Sequence, residues 1–388
     1  MVTMKIKDCC TVIAGQSPES KYYNTNGIGV PFFQGKADFG ELYPSVRVYC
    51  SQPTKIVEKD DILLSVRAPV GATNLAPGKV CIGRGLTAIR PSSKLNLRYV
   101  LHFFRYFETR LQAKGTGTTF KAITQDVVKN TIVPVPSLPE QRRIVARIEE
   151  LFSELDSGVE TLKKTKQQLA VYRQSVLKAA FAVTDAPFRR LEELCFFITK
   201  GTTPKTAAMS SGTGEIPFIK VYNLTSNSRL DFSINPTFVG EETHKKFLGR
   251  SIVYPGDVLM NIVGPPMGKV SIVPDTFPEW NINQAIARFR CLNGLCNKYL
   301  AYFLGYSDTI RKMTSKAKAT AGQFNLTLEI CRDIQIPVPP IEKQKQIVVE
   351  IESRLSVCDS IEKTVDAALQ QAESMRQSIL KKAFEGGL

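Results

Sequence analysis

Residues 134–181 read PVPSLPEQRRIVARIEELFSELDSGVETLKKTKQQLAVYRQSVLKAAF, and residues 337–384 read PVPPIEKQKQIVVEIESRLSVCDSIEKTVDAALQQAESMRQSILKKAF. The second stretch lies on the first without a gap at a shift of about 203 residues, and roughly 21 of about 48 positions agree, the self-similarity that marks an internal repeat. From Gln141 onward, a seam at alternating steps of three and four is marked by Ile144, Ile148, Leu151, Leu155, Leu162, Leu169, Tyr172 and Val176, with Gly158 and Thr165 in the remaining positions. Ile148, Leu155, Leu162, Leu169 and Val176 are seven apart, which is the seam of a heptad helix. The second copy offers Ile347, Ile351, Cys358, Ile361, Val365, Ala368, Ala372, Met375 and Ile379, with Arg354 interrupting. Pro139 in the first copy, and Pro339 with Pro340 in the second, lie before the helix, where proline fits. About 42 residues at 1.5 Å each make a rod near 60 Å. A lone helix of that length leaves its stripe bare, so the two copies are expected to pack on each other, antiparallel because each rod exits into a globular block and must return; two separate coiled coils to outside partners are the alternative.

The blocks between the rods echo each other more faintly. Val30-Pro31-Phe32 recurs as Ile216-Pro217-Phe218, and Gly15…Pro18 as Gly201…Pro204. Asp61-Ile62-Leu63 recurs as Asp257-Val258-Leu259, and Tyr99…Phe103 as Tyr299…Phe303. Alternating runs such as residues 62–66 and 86–90 read as short strands, and a helix follows in each block, around 96–113 and 296–314. The reading is an α+β protein with a pseudo-twofold internal repeat: a globule at 1–133, a central helix at 134–185, a globule at 186–333 and a distal helix at 334–388.

Composition bounds the function. The 388 residues are 43% hydrophobic and 22% charged, as expected of globular domains. The absence of a long apolar run or a signal-peptide core predicts a cytoplasmic protein with no membrane partner. Nine cysteines without a CxxC pair, beside only His102 and His244, predict buried reduced thiols and no metal site. The net charge is +15. Residues 1–133 carry 18 basic and 9 acidic residues, and residues 186–333 carry 18 and 12, whereas the two helical stretches are close to neutral. Positive charge confined to two globules points to a nucleic-acid binder with two contact surfaces.

A block ending in TIVPVPSLPEQRRIVARIEELFSELD, and again in IQIPVPPIEKQKQIVVEIESRLSVCD, resembles the specificity (S) subunit of type I restriction–modification systems. The second copy departs slightly, with Glu342-Lys343-Gln344 where the first has Pro139-Glu140-Gln141, and the resemblance extends over essentially the whole chain. It implies two target-recognition domains, each reading one half of a split site in double-stranded DNA, with two long antiparallel coiled-coil helices as a ruler. It implies two modification (methyltransferase) subunits that bind S-adenosylmethionine, restriction/translocase subunits, and no cofactor or chemistry on this chain.

The residues agree that catalysis is absent. The Pro-Pro pairs in Gly264-Pro265-Pro266-Met267 and Val338-Pro339-Pro340-Ile341 lack the preceding Asn/Asp and following aromatic that hold a flipped adenine. The segment Gly264–Lys269 is one residue short of a phosphate loop, and its prolines remove N–H donors. Pro274-Asp275…Glu279 is followed by Trp280-Asn281 and not by the lysine of a nuclease motif.

Loops mixing cations, amides and glycine suit DNA. In the first block these are Gln34, Lys36, Arg47, Arg67, Arg84, Lys114 and Lys121, the last two bracketing Gly115-Thr116-Gly117-Thr118-Thr119. In the second they are Lys220, Asn223, Arg229, Lys269, Gln284, Lys316, Lys318 and Gln323. The two sets differ, so the expected site is asymmetric, with half-site centres near 34 Å apart for readers on one face. Val145, Phe152, Val348 and Leu355 flank the seam and would either pack on the chain's own globules or dock modification-subunit helices. A coiled-coil scaffold with basic globules, and the recognition subunit of a related type II assembly, stay open alternatives.

Overall fold

The computed structural model describes residues 2–117, 121–182, 186–225, 228–264, 267–320 and 323–387; side chains are described for all of these but 318–320 and 323–324. The chain divides into two compact units, Met1–Lys163 with Asp366–Leu388, and Lys164–Val365. Two helices of 45 residues each, Leu138–Ala182 and Ile341–Glu385, pass from one unit into the other. Each unit therefore holds one globular block, the start of the helix that follows it and the end of the other helix.

In the first unit a four-stranded antiparallel sheet runs Cys10–Ala14, Leu86–Pro91, Ile62–Ser65, Thr73–Leu75 in spatial order. A second sheet contains Val30–Phe33, paired parallel with Val80–Ile82 through Phe32↔Cys81 and Phe33↔Ile82. Every residue of Ile62–Ser65 and Val80–Ile82 is buried, which is why these strands read as short apolar runs. The second unit repeats both sheets. Its counterparts are Cys195–Lys200, Ile286–Cys291, Val258–Asn261 and Val270–Ile272, with Ser228–Arg229 added at the edge. Ile216–Ile219 pairs parallel with Trp280–Ile282 in the same register, Phe218↔Asn281 and Ile219↔Ile282.

The helix expected at 96–113 forms as Leu97–Ala113, capped by Asn96, whose side chain accepts from the Tyr99 amide. Its counterpart splits into Asn297–Leu304 and Ser307–Ser315. Gly305 ends the first piece and Tyr306 is extended, which lets the Tyr306 ring stack near Phe181 at 6.2 Å.

The recurring sequence signals are fastening points. Asp61 takes two hydrogen bonds of 2.7 Å from the Arg90 guanidinium, and Asp257 takes bonds of 2.8 and 2.7 Å from Arg290. Each aspartate also accepts a backbone N–H three residues before it, from Glu58 or Tyr254. These buried carboxylates lock one strand to its neighbour, and the recurring Asp-Ile/Val-Leu segment is thereby explained structurally.

Gln141 and Gln344 are fully buried amides with every role filled. The Gln141 carbonyl accepts the Asn96 amide at 2.7 Å, and its NH2 donates to the Lys94 and Pro136 carbonyls at 3.1 and 2.9 Å. Gln344 accepts from Cys296 at 2.9 Å and donates to Gly294 and Pro339 at 2.8 and 2.9 Å. Each amide thus ties the start of a long helix to the turn preceding the block's own helix. Tyr99 and Tyr299 donate to the Pro134 and Pro337 carbonyls at 3.0 Å, which also fastens the proline-rich connection.

The helix ends fill aromatic slots. Phe384 lies 5.1, 5.6 and 5.5 Å from the rings of Tyr99, Phe103 and Tyr106. In the second unit Phe181 lies 5.3 and 5.2 Å from Tyr299 and Phe303. Burying one phenylalanine stabilises by about 2–3 kcal/mol.

The helices meet antiparallel. In the second unit Arg173 bonds Asp359 and Glu362 at 2.6 and 2.9 Å, while Lys166, about two turns earlier, comes to Glu362. In the first unit the corresponding residues, Arg376 and Asp156, form the same ion pair. Ile148, Leu169, Val176, Ile351 and Val365 are buried in the seam region, and Leu155, Leu162 and Ile379 are half-buried. Two expectations are corrected. Ile361 and Met375 are 41% and 48% exposed, because the second helix turns Cys358, Val365 and Ala372 inward at strict seven-residue spacing. Pro139 is the second residue of its helix; its missing N–H belongs to the first turn, which needs no intrahelical donor. Of the two readings for the residues flanking the seam, packing on the chain's own globules is the one seen: Val145, Phe152 and Val348 are buried in their own unit's core, and half-buried Leu355 packs against it at the edge of a groove.

Replacing Gln344 by Ala strands one buried N–H and two buried carbonyls, and we expect a loss of about 2–4 kcal/mol in the second unit. Trp280, the sole tryptophan, is buried in that unit and reports the loss by fluorescence in urea. His102 is buried in the first unit, and its pKa falls from 6.5 to about 3 through burial and the charges of Arg105 and Arg98. Below pH 6.5 the unfolded chain therefore takes up a proton that the folded chain refuses, and stability falls as pH drops toward 3. His102→Leu should remove about 2 kcal/mol of the loss between pH 6.5 and 5, read by circular dichroism in urea.

Candidate nucleic-acid interface

In the first unit, four of the sequence-selected residues come together. Gln34, Lys36, Arg67 and Arg84 line one cleft of about 900 Å³, with Ser17, Tyr23 and Ser65. Gln34 follows strand Val30–Phe33, Lys36 opens a short 3-10 turn, Arg67 follows Ile62–Ser65, and Arg84 lies in the turn before Leu86–Pro91. All four are exposed. No carboxylate lines the cleft, and Lys36, Arg67 and Arg84 form no ion pair among the described residues. Three cations converge in a cleft with no carboxylate in its lining, and the Asp38 carboxylate that accepts the Gln34 amide at 3.3 Å is paired with Arg47, so the net potential is positive and suits an anionic polymer.

The backbone of the cleft is narrowly built. Gly15 and Gly85 approach neighbouring carbonyls so closely that an added Cβ would fall 2.2 Å from the Gly83 oxygen and 2.1 Å from the Gln34 oxygen. The Ser17 hydroxyl accepts the Arg84 amide at 3.2 Å. Tyr23 donates to the Pro18 carbonyl at 2.8 Å, and burial raises its pKa. Arg47 is committed elsewhere: it bonds Asp38 and donates to the Ala37 carbonyl at 2.7 Å, bracing the turn that carries Lys36. Lys114 stands 5.6 Å over the Phe107 ring. Lys121 is exposed beside Ala122, which bridges to both Arg67 and Thr116. Ala122, just after Lys121, is thus placed beside Arg67; Thr118 and Thr119 lie outside the described residues.

The second unit places its candidates less uniformly. Lys220 follows strand Ile216–Ile219 as Gln34 follows Val30–Phe33, and Gln284 occupies the turn position of Arg84, its amide donating to the Thr203 hydroxyl at 3.4 Å. Val263 bridges to Asn325 where Arg67 bridges to Ala122, so that cation has no counterpart. Asn223 is 1% exposed; its amide donates to the Asp231 and Ile234 carbonyls and its carbonyl accepts the Lys220 amide. It braces the loop and presents nothing outward, because burial spends all its polar capacity inside. Arg229 lines a different groove, beside Arg173, Tyr302 and Glu352. Lys316 lines a third, with Lys312 and Asp333. Lys269 is half-buried, its amide held by Asn261 at 2.6 Å. Lys318 and Gln323 belong to the hairpin Lys318–Thr320/Gln323–Asn325, and their side chains are outside the described set. Sequence reasoning missed Arg250, whose Nε donates to the Thr202 hydroxyl at 2.8 Å beside the Gly201 turn. Its only sequence signal is a basic residue just before a strand, too weak to single out.

The type I restriction modification DNA specificity domain matches twice, over residues 1–169 and 185–371. The chain belongs to that family. The EcoBI specificity subunit of Escherichia coli is 25% identical over 365 residues, 86% of this chain and 74% of that one. A stretch of 167 residues is 41% identical to the MjaX protein of Methanocaldococcus jannaschii, covering 43% of this chain and 38% of that relative. A solved chain from work on assembly and conformational transition of the type I R-M system shares the fold, with a TM-score of 0.72 at 20% identity, over 100% of this chain and 98% of that one. The two globular blocks are therefore the target-recognition domains of a type I specificity subunit, and the cleft belongs to the first. Among the described residues, no group of ligating side chains could hold a metal, and no helix is long and apolar enough to cross a membrane.

Lys36→Ala and Arg67→Ala should each weaken binding to all DNA sequences alike and lower the slope of log K against log salt by about 0.9, as measured by fluorescence anisotropy.

Proposed function

We propose that this chain reads a split, asymmetric DNA site without doing chemistry itself, one half-site per target-recognition domain. The observation that carries this reading is the cleft of the first unit, where Gln34 at a strand end and Arg84 in a turn are presented beside Lys36 and Arg67, with no carboxylate in the lining. The second domain keeps the supporting turn but offers other side chains, which favours two different half-sites over a palindrome. Methylation of adenine would be done by two modification subunits carrying S-adenosylmethionine, and cleavage by restriction subunits, in the cytoplasm. The exposed apolar residues Val349 and Val357 on one long helix, and Val171 and Tyr172 on the other, are the surfaces left for the modification subunits. The helices, continuous through both units, would set the unread gap.

Two measurements test this. Modified-base sequencing of DNA from a methylation-free host, co-expressing this chain with its modification subunit, should yield one bipartite motif with methyladenine on both strands. Inserting seven residues into each helix, after Leu162 and after Val365, adds about 10.5 Å and should lengthen the gap by about three base pairs with both half-sites unchanged. Altered half-sites with an unaltered gap would refute the ruler.

A further inference from the structure

The two domains share one backbone frame at the reading turn and exchange its chemistry. In the first, the Gly83 amide donates to the Phe33 carbonyl at 2.8 Å, Leu86 to Gly83 at 2.9 Å, and Gly15 to Leu86 at 3.0 Å. In the second, Asn283 donates to Ile219 at 3.1 Å, Ile286 to Asn283 at 3.2 Å, and Gly201 to Ile286 at 3.1 Å. A hydroxyl, Ser17 or Thr203, holds the amide of the turn's outward residue in both. Three backbone hydrogen bonds over four positions, and a capping hydroxyl, thus play the same roles in both domains. What differs is what leaves the frame. The strand-end residue is an amide, Gln34, in one domain and an ammonium, Lys220, in the other. The turn residue is a guanidinium, Arg84, in one and an amide, Gln284, in the other.

This pattern separates support from reading. Structural residues such as Gly15/Gly201, Pro18/Pro204 and the Ser17/Thr203 hydroxyls keep their chemistry between the copies, whereas these two outward positions swap cation for amide. Arg84 and Gln284 are exposed, and among the described residues neither side chain forms a hydrogen bond or ion pair, the charge of Arg84 acting on Tyr23. Gln34 interacts with the Tyr23 hydroxyl, which is itself anchored to the Pro18 carbonyl at 2.8 Å. An amide offers one donor and one acceptor, which matches the N6/N7 edge of adenine; a cation offers donors only, which match O6/N7 of guanine. Phosphate contacts need no such exchange, since any cation serves them equally.

We propose that residues 34 and 84 in the first domain, and 220 and 284 in the second, are the base-discriminating pair of each domain, the amide facing adenine and the cation facing guanine. This rests on the DNA-recognition reading above. The test is modified-base sequencing of hosts carrying the full-length chain with its modification subunit, in wild type, Gln34→Ala, Arg84→Ala, and the exchange Gln34→Lys with Arg84→Gln. Each single variant should make one base pair of one half-site degenerate, with discrimination there falling roughly 5- to 150-fold, and leave the other half-site and the gap intact. The exchange should install a new base preference at those positions. Because all these side chains lie outside the core, the reciprocal pair Lys220→Gln with Gln284→Arg provides an independent reading in the other half-site. A wild-type motif that persists unchanged in every variant, or methylation that weakens evenly at all sites, overturns the assignment alone. A wild-type complex that leaves no motif overturns the DNA-recognition reading and the assignment with it.

Discussion

Neither recognition domain closes its own core. The slot formed by Tyr99, Phe103 and Tyr106 is filled by Phe384, and the slot formed by Tyr299 and Phe303 is filled by Phe181. In each case the plug is the last aromatic residue of the long helix that began beside the other block. A ring left in water at either position would cost its own burial and expose the slot as well. The chain is thereby obliged to send each helix onward and bring the other one back, and the antiparallel pairing follows from that obligation. The repeated Arg–Asp pairs, Arg173–Asp359 and Arg376–Asp156, then select register, since each partner lies 203 residues from its copy.

Fastening to the helices is also what makes a reading surface rigid. Gln141 and Gln344 spend their whole hydrogen-bonding capacity joining helix starts to the blocks, and Asp61 and Asp257 clamp the strands from which the outward turns rise. A side chain that must tell one base from another by a bidentate contact needs such a base, because tenths of an ångström decide whether both hydrogen bonds form. The frame is costly to alter and the outward residues are cheap to alter. That division of labour allows one fold to present two different chemistries.

The two domains are unequal in how they gather charge. The first brings Lys36, Arg67 and Arg84 into one cleft, while the second replaces Arg67 by Val263 and adds Arg250 at the Gly201 turn. Asn223, chosen as an outward amide, is instead the internal brace of its loop. A polar residue in a loop carries the same sequence signal in either role; only the burial of its neighbours distinguishes them.

The repeat, the long heptad helices, the alternation of blocks and helices and the concentration of positive charge in the blocks were all determined by the sequence, because periodicity and charge are additive along a chain. So was the identity of the fastening residues as repeated letters. Their purpose was decided by the tertiary structure alone. That Asp61 meets Arg90, that Gln141 meets Lys94 and Asn96, and that Phe384 completes a core built from residues near 100 are contacts across long sequence separations. The inward turn of Cys358, Val365 and Ala372, at the expense of Ile361 and Met375, was likewise settled by which face the partner helix covers. Hydrophobic pattern specifies that a helix has a buried stripe, but the partner's surface chooses among neighbouring stripes, and that surface exists only once the chain has folded.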